Sequence, residues 1–278
     1  MTVVARCLCC LDKLCHRILT SRMISPLAAG IYEGLGAAAG AGLAVGAYAY
    51  ASLWPGSRIF GTAITAPARP GELALTFDDG PNAAWTPRLL DILAKHEARA
   101  TFFLLGSRAV AQSELVRRIA AAGHTIGNHS WSHPNLARTR ASRVRDELQQ
   151  TSETLQQIIG APVKFFRPPF GARRPVVFRI ARELGLEPVL WNAMTSDWSE
   201  PSADRIAKDL MKKIDGLERR GCAANIVLHD GGHLDAGANR EPSITAAGLL
   251  LEHYAMNHRF VTLNAWCSAS QEKFKGSA

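Results

Sequence analysis

Short apolar segments alternate with amphipathic ones through most of this 278-residue chain, and this alternation restricts the fold more than any other feature. The apolar segments have the length of buried strands, and the segments between them have helical periodicity. The predicted strands are 72–77, 100–106, 124–129, 164–169, 187–192, 225–230 and 259–263. The predicted helices are 86–97, 113–122, 141–159, 176–184, 203–217 and 244–258. Strands that alternate with helices pair in parallel, so the sequence predicts an α/β barrel or a doubly wound open sheet.

Unusual polar side chains follow the predicted strands, at the point where each strand ends. In both architectures functional residues collect at the C-terminal ends of the strands. The polar residues that fall there are Asp78, Asp79, His129, His133, Arg167, Asp197 and His229. We therefore expect one site at this rim of the sheet.

Two adjacent carboxylates end the first strand, in the stretch LALTFDDGPN. Side chains alternate along a strand, so Asp78 and Asp79 point to opposite faces if the strand geometry persists. One of them can then bind a cation while the other reaches into the cleft. A divalent cation nearby would favour the ionised form of both. For the pair taken alone, an Asx-turn or a helix N-cap is the alternative.

Two histidines and a later arginine and histidine complete the polar set. His129 and His133, in HSWSHP, have the spacing that brings two imidazoles within reach of one metal ion, on a helical turn or in a compact loop. Two histidines and one carboxylate leave open positions for water or substrate. A second carboxylate can then take a proton from water. Arg167 can orient that base, and His229 can act as a general acid.

Five motifs carry a family resemblance: TFDDGP, HSWSHP, RPPFG, SDW and IVLHD, in this order. They resemble the motifs of the polysaccharide deacetylases (carbohydrate esterase family 4, the chitooligosaccharide deacetylase homology domain) over roughly residues 72–265. The first three motifs are highly specific together, and the last two are looser. The resemblance implies an incomplete (β/α)7 barrel of parallel strands and metal-assisted removal of N-acetyl groups from polysaccharides that contain N-acetylglucosamine, such as peptidoglycan or chitin-like oligomers. The implied cofactor is one divalent ion, zinc first, with Co, Ni or Mn as alternatives.

The same resemblance implies a role for each residue of the motifs. Asp78 matches the catalytic base and His229 the general acid. Asp79, His129 and His133 match the metal ligands.

The remaining matches concern positioning and substrate binding. Arg167 and Asp197 match the pair that positions and tunes the base. Trp198 and Val227 match the walls of the pocket for the acetyl methyl group. The backbone N–H of Phe170 matches the donor that helps to hold the oxyanion.

Three positions depart from the family pattern. Phe170 stands where Tyr is common, which leaves a backbone donor unaffected, and Val227 replaces the usual Leu. Met194 stands where many members carry an additional Asp, which affects details of substrate binding or base tuning. The alternatives are an O-acetyl esterase on acetylated xylan or a related polymer and a catalytically silent glycan-binding protein. The intact base, ligands and acid count against the silent protein.

The sequence of the N-terminal region predicts attachment to a membrane. Residues 34–54 form a run of 21 residues without a charge, close to the ~20 needed to cross a bilayer, although 13 of them are Gly or Ala. We predict a basic Cys-containing tail at 1–33, a transmembrane anchor at 34–54, a linker at 55–71, a catalytic domain at 72–268 and a C-terminal tail at 269–278. The preceding cations place the catalytic domain on the outer (periplasmic or extracellular) side of the cytoplasmic membrane. Secretion after signal cleavage at AYAYA, a soluble Gly/Ala helix and a start at Met23 are the alternatives.

Charge and cysteine content constrain the remaining partners. The net charge of +8 most often reflects a solvated basic surface, with an anionic cell-wall polymer or lipid headgroups as the alternative partner, and no basic stripe interleaved with aromatics indicates nucleic acid. Cys222 and Cys267 could pair in an oxidising compartment. The sequence does not indicate an oligomeric state.

Overall fold

The structure, a computed structural model, describes residues 26–267, with the side chains of residues 38–267. The chain divides into two units, residues 1–49 and 50–278, and helix α1 (Pro26–Leu53) begins in the first unit and ends in the second. Among the described residues no helix is long and apolar enough to cross a membrane, so the predicted span at 34–54 is not supported. The cysteines before Pro26 lie outside the described residues.

An eight-stranded sheet forms the frame of the second unit, and all of its recorded pairings are parallel. The strand order is β5-β4-β3-β2-β1-β7-β6, and β8 pairs with the start of β1. The strands are β1 (Glu72–Gly80), β2 (Thr101–Leu104), β3 (Thr125–Asn128), β4 (Phe165–Phe166), β5 (Glu187–Pro188), β6 (Ala193–Met194), β7 (Ala224–His229) and β8 (Arg259–Phe260). The helices are α2 (Thr86–Lys95), α3 (Gly106–Ala111), α4 (Ser113–Ala121), α5 (Ala141–Ile159), α6 (Pro175–Glu183), α7 (Ala203–Glu218) and α8 (Glu241–Tyr254).

One stretch of chain, residues 187–194, supplies both edges of the sheet. Its first half pairs with β4 as β5, and its second half pairs with β7 as β6. Between them the Leu190 N–H donates to the Ile64 carbonyl, and the Asn192 N–H donates to the Asn225 carbonyl. The predicted strand 187–192 therefore overlaps only β5, and β6 begins just after it, because the chain changes pairing partner along this stretch. The parallel half-barrel implied by the resemblance is confirmed.

The central strand separates two apolar clusters, and this separation positions the site. Leu73, Leu75 and Phe77 belong to the large core between the sheet and the helices. Ala74 belongs to a smaller cluster inside the half-barrel, with Phe103, Phe165, Val189, Ala223, Val261, Leu263 and Trp266. Each fully buried Leu or Phe stabilises the fold by about 2 kcal/mol. Because side chains alternate along a strand, Asp78 lies on the same inner face of β1 as Ala74.

The predicted helices overlap the observed ones, with α8 (Glu241–Tyr254) shifted toward the N-terminus from its predicted range 244–258, whereas α3 was not predicted. Six residues, Gly106–Ala111, are too few to show a 3.6-residue period. The predicted range 141–159 matches α5, which ends at Gly160 in the left-handed conformation (φ 69°). Cys222 and Cys267 are free thiols, so the pairing considered for them is not formed.

Arg173 joins the last turn of α1 and the residues after it to the loop that follows β4. Its guanidinium is fully buried, and Nη1 donates to the carbonyls of Ser52 (3.2 Å) and Gly171 (3.1 Å). Nη2 donates to the carbonyls of Trp54 (2.6 Å) and Ser57 (3.2 Å). The last carbonyls of a helix lack hydrogen-bond donors within the helix, and the Arg173 guanidinium supplies the missing donors at the end of α1.

Candidate active site

The two aspartates lie at a β-bulge, where the pairing of β1 with β2 is irregular. Asp78 pairs with Phe103 and Gly80 with Leu104, so Asp79 has no partner residue on β2. Asp79 has a φ of 67°, in the left-handed region. The bulge interrupts the alternation of the strand. Regular strand geometry therefore does not persist here, and both carboxylates line the same pocket.

The two histidines are held in a loop after β3, and not on a helix. Glu147 of α5 accepts hydrogen bonds from the N–H groups of Trp131 (2.9 Å) and Ser132 (2.8 Å), which lie between the histidines. His133 has a φ of 59°, which turns the loop back toward β1. His129 Nδ1 lies 2.8 Å from the carbonyl oxygen of residue 167, a distance at which Nδ1–H donates and leaves Nε2 free for a ligand role.

Asp79, His129 and His133 form a candidate metal centre. The Oδ1 atom of Asp79 lies 3.4 Å from His129 Nε2 and 3.1 Å from His133 Nε2, and the three ligand atoms lie within 4.8 Å of one another. Asp79 Oδ1 is buried and has no hydrogen-bond partner. Two imidazole nitrogens and a carboxylate oxygen suit a divalent ion such as zinc. The residues present therefore fit a bound metal ion.

Electrostatics keep the Asp79 carboxylate ionised. Burial alone would raise its pKa. The contacts with His129, His133 and His233 outweigh burial and hold the pKa of Asp79 well below its ordinary value. An ionised carboxylate is the form that ligates a metal.

Asp78 is held by a buried arginine. Arg167 is 0% exposed, and its Nη1 donates to Asp78 Oδ1 (2.8 Å) and to the Thr76 hydroxyl (2.7 Å). Its Nη2 donates to Asn225 Oδ1 (3.2 Å), and its guanidinium carbon lies 4.2 Å from the centroid of the Phe103 ring. These contacts orient one oxygen of Asp78, and the other oxygen, Oδ2, lies 3.9 Å from His129 Nε2.

His229 ends β7 directly beside Asp78, with which it pairs in the sheet. Asp197 Oδ1 lies 2.9 Å from His229 Nδ1, and Asp197 Oδ2 accepts from the His229 backbone N–H (2.8 Å) and the Ser243 hydroxyl (2.7 Å). Asp197 thus contacts the residue implied as the acid, whereas the resemblance paired it with Arg167 at the base. The loop after β6 carries Asp197 to His229, and Asp78 is held by Arg167.

The pKa of His229 follows from the same contacts. Burial alone would lower it, but the charge and hydrogen bond of Asp197, with smaller contributions from Asp79 and Asp78, raise the pKa of His229 to about 9. The imidazole is therefore protonated at neutral pH and can donate a proton.

A pocket of about 470 Å³ lies over these residues. Phe170 and Trp198 line it with side chains that are 50% and 47% exposed, and Val227 lies at its wall. Met194, which stands where the resemblance implies an additional Asp in many members, also lines it. Phe170 has a φ of 58°, unusual for a bulky residue. Strained backbone of this kind concentrates at functional sites.

Sequence reasoning missed three contributors to this site. His233 lies 3.5 Å from Asp79 through its Nδ1, Ser243 bonds to Asp197, and Asn225 bonds to Arg167. A second histidine in HDGGH was the only signal for His233. Nothing local marks the other two, because their partners are distant in sequence.

Comparison with known proteins identifies the group to which this site belongs. The family model described as polysaccharide deacetylase matches residues 65–189. A peptidoglycan-N-acetylglucosamine deacetylase of Bacillus cereus is 35% identical over 212 residues, covering 76% of this chain and 74% of the relative. The chain belongs to the polysaccharide deacetylase family. A chitooligosaccharide deacetylase of Bradyrhizobium sp. is 37% identical, covering 56% of this chain and 69% of that relative.

A solved structure supports the same family assignment. The crystal structure of the Bc1960 peptidoglycan N-acetylglucosamine deacetylase in complex with 4-naphthalen-1-yl-N-oxidanyl-benzamide has a TM-score of 0.65 and 36% identity, over 73% of this chain and 91% of that one. This polysaccharide deacetylase thus shares its parallel half-barrel with a deacetylase of known structure.

Proposed function

We propose that this protein is a metal-dependent hydrolase that removes N-acetyl groups from polysaccharide containing N-acetylglucosamine, either peptidoglycan or chitin-like oligomers. The observation that supports the proposal most directly is the arrangement of three separate groups around one pocket. These are the Asp79 site with its two histidines, the Asp78–Arg167 pair and the His229–Asp197 pair. Similarity to deacetylases of both substrates supports the choice of an acetamido sugar.

Asp78 is suited to act as the general base. A divalent ion held by Asp79, His129 and His133, with zinc as the first candidate, would supply an acidified water and a polarised acetyl carbonyl. The free oxygen of Asp78 faces the same space and accepts the proton of the attacking water. Arg167 keeps the carboxylate pointed at that water through its bond to the other oxygen.

His229 is suited to act as the general acid. Asp197 raises its pKa to about 9, and His229 lines the same pocket as Asp78, so it can donate its proton to the leaving amine. The backbone N–H of Phe170 stabilises the oxyanion of the tetrahedral intermediate. Trp198 and Val227 enclose the acetyl methyl group. Apolar enclosure also excludes water, which strengthens the contacts of the charged groups.

We place the catalytic unit outside the cytoplasmic membrane. Peptidoglycan-directed relatives and the cations before Gly34 support this location. Protease added to intact spheroplasts should degrade the protein while a cytoplasmic marker survives. Protection of both proteins until the membrane is lysed would refute the location.

Acetate release tests the proposed reaction. The purified protein is given N-acetylglucosamine oligomers, peptidoglycan and acetylxylan, before and after chelation and after zinc is restored. We expect release from the first two, loss on chelation and recovery with zinc. Asp79→Ala should be inactive, and Asp91→Ala, which removes an exposed carboxylate on α2, should be as active as the wild type. Release that survives both chelation and Asp79→Ala would disprove the metal mechanism. Release from acetylxylan alone would make the protein an O-acetyl esterase, and no release from any substrate would favour a glycan-binding protein.

A further inference from the structure

His233 lies at the mouth of the pocket, and neither the predicted ligands nor the predicted catalytic residues include it. Its side chain is one-third exposed, and its ring stacks on the His133 ring with 4.3 Å between centroids and 23° between planes. The Phe170 ring meets it edge-on at 5.3 Å. Two aromatic contacts therefore fix the position of a histidine that the pocket wall alone would leave free to rotate.

The two oxygens of Asp79 have different surroundings. Oδ1 faces the Nε2 atoms of His129 and His133, within the group of candidate ligand atoms. Oδ2 faces Nδ1 of His233 at 3.5 Å. A shift of about 0.5 Å would bring that contact to the usual hydrogen-bond length. His233 is not part of the group whose ligand atoms lie within 4.8 Å of one another, so it contacts the other oxygen of the carboxylate and is not among the candidate ligands.

The backbone of Asp79 does not settle the direction of its carboxylate. The residue sits at a bulge with a positive φ, and its side chain has no neighbour within a regular strand to restrain it. A hydrogen bond to the oxygen that does not ligate is a common means of orienting a metal-binding carboxylate. Among the side chains that the structure describes, His233 is the one that makes an ion-pair contact with Asp79 Oδ2.

We propose that His233 is a positioning residue for the metal site: its Nδ1–H donates to Asp79 Oδ2 and turns Oδ1 toward the two histidine ligands. Its stacking on His133 restrains one of those ligands as well. The inference rests on the proposed function only in taking the site to bind a divalent ion, and it requires no particular substrate. Residues of this kind change metal affinity by about 10- to 100-fold when they are removed.

Zinc affinity, measured without substrate by competition with a chromogenic chelator, tests the inference. His233→Ala removes the donor and the ring. His233→Asn removes the ring but keeps an N–H donor near the position of Nδ1. Leu234→Ala is the matched control, because this side chain is on the same loop, is 91% exposed and has no recorded contact with Asp79. The melting temperature of each metal-free protein shows whether the fold is intact.

We expect His233→Ala to weaken zinc binding by about 10- to 100-fold, His233→Asn to recover most of the loss and Leu234→Ala to bind as the wild type does. Equal affinity of wild type and His233→Ala would overturn the inference and leave the proposed function standing. An Asn variant as weak as the Ala variant would show that the donor is not the cause and would overturn it too. A wild type that binds no zinc would refute the proposed function itself, and the inference with it.

Discussion

Replacement of Asp197 by Asn tests how the structure prepares His229 as an acid. The substitution keeps the size of the side chain but removes the charge beside Nδ1. It also leaves one acceptor oxygen for three donors, the His229 Nδ1–H, the His229 backbone N–H and the Ser243 hydroxyl, because an amide nitrogen cannot accept a hydrogen bond. The first effect depends on pH and the second does not, so a pH profile separates them.

The expected size of the first effect follows from the pKa of His229. With Asp197 present that pKa is about 9, raised from the ordinary 6.5. The acid form is therefore complete at neutral pH and disappears as the pH rises through 9. Without the charge of Asp197 the pKa should fall to about 6.5 or below, a loss of roughly 3 kcal/mol of preference for the protonated form. At pH 8 the protonated fraction then drops by about 30-fold, and at pH 6 by less than about twofold.

The assay is kcat/KM for acetate release between pH 5.5 and 10, with both proteins loaded with the same metal. A bound cation would lower the pKa of His229 in both proteins, and the difference between their alkaline limbs would remain. We expect the ratio of wild-type to Asp197→Asn activity to grow by about 20-fold from pH 6 to pH 8. Ser243→Ala, which removes a hydrogen bond to Asp197 but no charge, should keep the wild-type limb.

The same pKa has a consequence for folding that serves as a second measurement. A histidine with a raised pKa stabilises the folded state fully below about pH 6.5, and this contribution disappears as the pH rises through about 9. The free energy of unfolding of the wild type should therefore fall over this interval more than that of Asp197→Asn. An alkaline limb that stays in place in a folded, metal-loaded Asp197→Asn variant would refute the assignment of His229 and Asp197 as a pair.

Three further predictions concern the frame around the site. Gly231→Ala should lower kcat/KM by about 100-fold, because the added Cβ would lie 2.0 Å from the Asp79 carbonyl oxygen. Gly237→Ala on the same loop makes only an ordinary contact of 3.6 Å and should be active. Equal activities of the two variants would contradict this. Arg167→Met should lower the free energy of unfolding, measured in urea, by about 3–5 kcal/mol, because it leaves the buried Asp78 carboxylate without its cationic partner. Adding Asp78→Asn should recover part of the loss. A double variant less stable than the single one would count against the ion pair. Arg173→Met should lower the free energy of unfolding by at least about 3 kcal/mol, since four backbone carbonyls lose their donor. A loss below about 1 kcal/mol would show that water replaces the guanidinium as the donor.

The order of strands and helices and most site residues could be read from the sequence, because both depend on local patterns. The period of apolar residues predicts the elements, and the rule that function collects at the C-terminal ends of parallel strands predicts which polar residues meet. Asp79, His129 and His133 were recognisable for this reason, and the structure brings them within 4.8 Å of one another.

The directions in which the site side chains point, and the residues that they contact, were decided only by the tertiary structure. Strand alternation separates Asp78 from Asp79, and only the slipped pairing with β2 turns both into one pocket. The resemblance paired Asp197 with Arg167, and only the loop after β6 places it against His229. His233 carried no signal beyond its residue type, since its contact with Asp79 joins positions more than a hundred residues apart. Local sequence determines which residues reach the rim, because propensity and periodicity act over a few residues. Contacts between distant segments exist only once the sheet has formed.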